Sequence, residues 1–153
     1  MTDERAVSTT VGFVTTLGVA SILISGLLIA GGGFVDDQRE RTIRSEMQVI
    51  GQQVASDIDA TDRLVQTGES VSELRVTHQL PDRVTGAQYS IEVDNSGSQT
   101  RLKLSSDDPD VTVWVQFDAQ TEVVGERFTG GDLVIRYADA DLDGDLELEV
   151  TGR

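Results

Sequence analysis

A chain of 153 residues with 27 acidic and 12 basic side chains carries a formal net charge of -15. Its length supports one modest domain plus an appendage, and its charge repels phosphate backbones, so nucleic acid is not an expected partner. The absence of cysteine excludes a disulfide framework, a thiolate nucleophile and a cysteine-ligated metal cluster.

No charged residue stands between Arg5 and Asp36. The uncharged stretch 6–35 is densest in apolar side chains from Val11 to Ala30, and a membrane-spanning helix needs about 20 predominantly apolar residues. Residues 1–5 then form a short leader and 6–35 a transmembrane helix. A secretory signal has a basic start and an apolar run of about 7–15 residues. Here the run is longer, and Met1–Arg5 mixes both signs of charge. Cleavage behind the span, at Ala30 or Gly31, is the alternative. Small residues recur along the segment at Gly12, Gly18, Ser21, Ser25 and Gly26. They let helix backbones approach closely, and they fit either packing against other copies or a generic anchor that tolerates Gly and Ser.

Arg5-Ala6-Val7-Ser8 directly ahead of this run, followed by Val11-Gly12, resembles the class III signal peptides of archaeal, and particularly haloarchaeal, type IV pilin-like proteins. The resemblance covers residues 1–35. It implies that a prepilin peptidase cuts between Arg5 and Ala6, and that the retained hydrophobic helix becomes a filament core. Thr10 stands where many bacterial pilins carry Glu at the fifth mature position, which limits any analogy to bacterial assembly. Arg39, Arg41 and Arg44 lie just beyond the span, whereas only Arg5 precedes it. Taken alone, this positive-inside count predicts the opposite orientation. Asp37/Arg41 and Glu40/Arg44 are i,i+4 pairs in the favourable acid-first order.

Gly31-Gly32-Gly33 reads as a joint or as the end of the first helix, since each glycine weakens a helix by roughly 1 kcal/mol relative to Ala. Beyond it, Ile43, Met47, Ile50, Val54, Ile58 and Val65 recur on one face. This spacing predicts an amphipathic helix over 36–68 that packs on the C-terminal part of the chain.

Residues 69–153 read as an acidic β head. Leu74–Leu80, Gln88–Val93, Thr100–Leu104 and Val111–Phe117 alternate with period two, and Asp94–Ser98 and Asp107–Asp110 supply turns. The second and third of these segments form the best hairpin in the sequence. Weaker strands are expected at Glu122–Val124, Leu133–Tyr137 and Leu146–Val150. The fold class is therefore α+β, a long helix packed on a small antiparallel sheet or sandwich. Lys103 is the one lysine, every other basic residue being arginine. Such a surface suits an ordinary acidic domain or, as the scarcity of lysine favours, a halophile whose carboxylates hold water and ions while salt screens their repulsion.

Little in the head points to catalysis. The single histidine, His78, lies on the half-buried face of its strand or at its rim, and no nucleophile elbow accompanies it. Trp114, between Val113 and Val115, reads as a core residue. Asn95 precedes Ser96-Gly97, which is not a glycosylation acceptor. Asp139, Asp141, Asp143, Asp145 and Glu147 place acidic oxygens at alternate positions around Gly144, as Ca²⁺ coordination requires. The twelfth position of an EF-hand loop is occupied by Val150 instead of Glu, and an acidic hairpin turn is the simpler reading.

Three functions are compatible with these features. The first is a pilin-like subunit whose partners are the membrane, other pilin-like subunits and the prepilin peptidase, with its head outside the cell. The second is a permanently anchored surface protein with a binding head, and the third an anchored domain facing the cytoplasm.

Overall fold

The computed structural model describes residues 3–68, 71, 73–96, 99–138 and 146–153, with side chains from Thr10 onward. A helix, α1 (Asp3–Thr67), precedes β1 (Leu74–Gln79), β2 (Ser90–Asp94), β3 (Arg101–Asp107), β4 (Asp110–Gln116), β5 (Val123–Val124), β6 (Phe128–Thr129), β7 (Asp132–Ala138) and β8 (Glu147–Gly152). The chain divides into two compact units, Met1–Arg39 and Glu40–Arg153.

In the first unit the helix passes unbroken through Gly31-Gly32-Gly33, where composition predicts a joint or helix end. Glycine carries a propensity cost but still supplies its N–H and C=O to the helical ladder. Three such residues weaken the segment without ending it.

In the second unit, the remainder of α1 presents the expected face. Ile43, Met47, Ile50, Val54 and Ile58 are buried and Val65 is partly buried against the same core. The strands form two four-stranded sheets, one ordered β1-β7-β8-β5 and the other β4-β3-β2-β6. One core joins helix and sheets. Ile91, Leu102, Leu104, Val111, Val113 and Val115 come from the second sheet, and Leu133, Ile135, Leu148 and Val150 from the first. The α+β expectation holds, and the expected hairpin is the β2–β3 pair, with Ile91 opposite Leu104 and Val93 opposite Leu102. The head is not wholly antiparallel: β5 runs parallel to β8, with Val123 opposite Leu148. Its pairing is made across sequence, so no hairpin turn sets its direction.

Gly51 marks a close approach of helix and sheet. A Cβ there would stand 2.7 Å from Val115 Cγ2 and 2.9 Å from Leu104 Cδ1, distances that real packing does not tolerate. At the turn between Val84 and Ala87, Thr85 (φ 48°) and Gly86 (φ 79°) both adopt left-handed backbone. The Thr85 hydroxyl donates to Glu46 on the helix at 3.3 Å.

The helical face skips a turn between Ile58 and Val65, and Thr61 and Asp62 fill it, both buried. The Thr61 hydroxyl donates to the Asp57 carbonyl at 2.7 Å. Asp62 accepts the backbone N–H groups of Gln120 at 2.9 Å and Thr121 at 3.0 Å, one on each carboxylate oxygen. Burial pushes the Asp62 carboxyl up, but hydrogen bonds from Thr121, Gln120 and Gln66 outweigh it and leave its pKa below the ordinary 3.8.

Because the folded value is depressed, the carboxylate stabilises the fold above the ordinary value, and that contribution fades as pH falls through the lower folded one. Asp62→Ala, which strands two amides, is expected to cost about 2–3 kcal/mol in urea denaturation at neutral pH. Asp62→Asn should flatten the loss of stability below about pH 4. A wild-type acid limb that persists unchanged in Asp62→Asn would assign it to other carboxylates.

Candidate functional site

The apolar segment of α1 is defined by what its side chains meet. Among the described residues, the helix has an 18-residue window of mean hydropathy 2.2 near the N-terminus, and none of that window is buried within the chain. The Val, Leu, Ile and Phe side chains from Val11 to Ile29 are each more than half exposed, from Val19 at 53% to Ile29 at 78%. At 100° per residue they point all round the axis, the pattern of a helix surrounded by apolar material rather than one with a wet face. Length and composition therefore make this a candidate membrane-spanning helix.

Its polar side chains are satisfied within the helix. The hydroxyls of Thr15, Thr16, Ser21 and Ser25 donate to the carbonyls of Val11, Gly12, Leu17 and Ser21 at 2.8–2.9 Å. Hydroxyls bonded this way add little cost in a hydrocarbon medium, where unpaired polar groups are expensive. Around Gly12, Gly18 and Gly26 a Cβ would meet nothing within 4 Å. Gly51 is required by the head; these three are not required by any neighbour in the described chain. Arg5 and Ala6 lie on the helical backbone at the start of α1.

Basic residues beyond the span are partly engaged. Arg44 pairs with Glu40 at 2.9 Å, as the i,i+4 spacing predicts, and also donates to the Thr112 carbonyl of β4 at 3.4 Å. Arg44 is thus tied to the head through its own side chain.

Among the described residues of the head, three further polar arrangements bear on the expected sites. His78 lies at the half-buried strand face, as expected: its Nε2 is 2.6 Å from Gln53 Nε2, and its Nδ1 is 3.4 Å from Asp57 Oδ2. Both partners come from the helix, so the histidine joins β1 to α1. A second cluster links Arg127 to the hydroxyls of Ser90 at 2.9 Å and Ser105 at 3.1 Å. The third surrounds Trp114. Here the core expectation fails. Val111, Val113 and Val115 face inward, and the period of two sends Trp114 to the other side of β4, where it is 47% exposed. Its ring covers Arg101, whose Cζ is 4.6 Å from the ring centroid, and Lys103 Nζ lies at 5.7 Å.

Arg101 in turn pairs with Asp94 at 2.7 Å. Hydrogen bonds from the Ser96 hydroxyl and amide, and then from Arg101, hold the Asp94 carboxyl down to about 2. Tyr89 is buried with its hydroxyl donating to the Pro81 carbonyl at 2.6 Å, and burial beside Asp82 raises it to about 12.

Of the acidic Ca²⁺ candidates, Asp139, Asp141, Asp143 and Asp145 lie outside the described residues. Glu147 opens β8 opposite Ala138. Among the described residues no group of three or more His, Asp or Glu side chains is placed to hold a metal ion.

No curated protein and no solved structure matches the chain. One family does: residues 2–150, spanning the apolar helix and the β head together, match the Family of unknown function (DUF7266), and the chain belongs to it.

Proposed function

We propose that this protein is a pilin-like subunit: it resides in the membrane through residues 6–35, is trimmed between Arg5 and Ala6, and packs through that helix with other copies into a surface filament or pseudopilus. The observation that carries the reading is a helix apolar all round from Val11 to Ile29, followed without a break by a stretch buried in the core of a β head. The resemblance of Arg5-Ala6-Val7-Ser8 to a class III signal peptide supplies the processing step. The family match spans helix and head together, which favours treating them as one functional unit. The small residues Gly12, Gly18, Ser21, Ser25 and Gly26 then serve as close-packing positions between helices.

Mass spectrometry of the mature N-terminus in the native cell tests the proposal. A chain beginning at Ala6 supports it, and an intact Met1 or Thr2 start overturns it in favour of a permanent anchor. The arginines beyond the span favour a cytoplasmic head, although Arg44 is taken up by Glu40 and Thr112. External protease on whole cells separates the orientations: degradation of the head places it outside, and protection places it within.

The charge of -15 supports a halophilic setting. Unfolding of the detergent-solubilised chain is expected to shift to higher temperature as KCl rises toward 2 M, a range in which the Debye length falls below about 3 Å. A midpoint that falls or stays level with salt would remove the halophile from the proposal.

A further inference from the structure

Trp114 is the only tryptophan of the chain, and it stands on the outer side of β4 at the wall of an open groove of ≈ 500 Å³. The groove runs between β4 and the head portion of α1, with Gln48 and Gln52 on the helix wall and Arg101, Trp114, Val115 and Gln116 on the sheet wall. Its volume lies in the range of small-molecule sites, roughly 300–1,000 Å³. We propose that this groove binds a neutral saccharide, with the indole of Trp114 as stacking platform and the amides of Gln48, Gln52 and Gln116 as hydroxyl ligands.

The chemistry of the lining selects that class. Gln48 and Gln52 are four apart on the helix and exposed on one face, with Gln116 exposed on the strand across the groove. Each primary amide both donates and accepts, and so does each sugar hydroxyl. An arrangement of three amides therefore matches a polyol better than it matches a pure donor or a pure acceptor. The indole supplies the apolar, electron-rich face against which the C–H side of a pyranose ring packs.

Arg101 Cζ and Lys103 Nζ lie over the ring at 4.6 and 5.7 Å, and Trp114, 47% exposed, keeps ring surface for a ligand. Neither cation is left unpaired. Arg101 is paired with Asp94 at 2.7 Å and Lys103 with Glu92 at 3.8 Å. A cationic ligand finds no carboxylate in the lining. An anionic ligand meets the field of a chain with net charge -15. The site lies wholly within the head, so the inference stands whether or not the apolar helix assembles.

A single tryptophan makes the site its own reporter. The full chain in detergent micelles is titrated with three neutral sugars, maltotriose, cellotriose and N,N′,N″-triacetylchitotriose, and with trigalacturonate as the acidic control, while the emission of Trp114 is followed. The expected result is a saturable blue shift with at least one neutral trisaccharide, the midpoint rising at least fivefold in Gln48→Ala/Gln52→Ala. Trp114→Ala, followed by calorimetry because it is dark, should weaken the same interaction roughly tenfold, the value of an aromatic contact of about 1.4 kcal/mol. Both variants alter exposed side chains, and an unchanged thermal midpoint shows that the fold is intact. Emission that stays constant with all three neutral sugars overturns the proposal. So does a shift that survives undiminished in the double glutamine variant, or binding confined to trigalacturonate.

Discussion

A head lacking residues 40–67 is expected to remain unfolded, while residues 40–153 fold as a unit. The helix contributes Ile43, Met47, Ile50, Val54, Ala55 and Ile58 to the single core shared by both sheets. Truncating a buried Ile, Leu or Met to Ala costs about 2–5 kcal/mol, and an entire domain is stable by only about 5–15. Losing the whole face therefore exceeds what the strands supply on their own. The sheets also lose polar partners: Asp62 for the Gln120 and Thr121 amides, and Gln53 and Asp57 for His78. Far-ultraviolet circular dichroism and amide dispersion of a 68–153 fragment check the result. A cooperative unfolding transition in that fragment would show that the sheets need no helix. The graded version is Ile58→Ala, which removes most of a fully buried side chain and is expected to lower stability by roughly 3 kcal/mol without altering the sheet register.

That dependence is legible in the sequence because the helical face is periodic and long. Steps of three and four from Ile43 to Ile58 leave little freedom in which side meets the core. The β2–β3 hairpin is legible for a similar reason: two alternating runs flank a turn rich in Asp, Asn, Ser and Gly, and inward residues fall at every second position. The features that stay hidden depend on contacts between distant segments. Asp62 occupies a turn that the apolar pattern skips, and its burial makes sense only with the Gln120–Thr121 loop docked on it. The gap between Ile58 and Val65 is the available signal.

Trp114 misleads because residue type outweighs register in a reading by hydrophobicity. Given Val111, Val113 and Val115 as the inward set, alternation alone places the indole outside. Phe128–Thr129 is two residues long and pairs with Ile91 and Ser90 through tertiary placement, too short a run for any periodicity. For the apolar helix, hydropathy marks the membrane candidate, but the choice between anchor and assembly depends on what surrounds it outside the chain.

That choice yields to a pair of substitutions with opposite physics. Leu23→Arg puts a charge near the middle of the span, where Arg costs about 2.5–3.5 kcal/mol and Leu contributes about 0.3–0.6 on insertion scales. The swing is about 3–4 kcal/mol, a factor of several hundred in the insertion equilibrium. The Val, Leu, Ile and Phe side chains from Val11 to Ile29 number eleven and supply only about 3–7 kcal/mol on the same scale, before Gly, Ser and Thr count against them. The variant is therefore expected to leave the membrane fraction, as carbonate extraction would report.

Ser21→Leu/Ser25→Leu acts in the other direction. It removes two hydroxyls already bonded to the Leu17 and Ser21 carbonyls and adds apolar bulk, so insertion is preserved or strengthened. Helices that pack through small residues lose their close approach when the surface is filled. If residues 6–35 form a filament core, this variant stays in the membrane and fails to appear in sheared surface filaments. If they form an anchor alone, both the membrane fraction and the exposure of the head are unchanged. An unimpaired filament yield from Ser21→Leu/Ser25→Leu would remove those two serines from the packing face and leave Gly12, Gly18 and Gly26 to carry it.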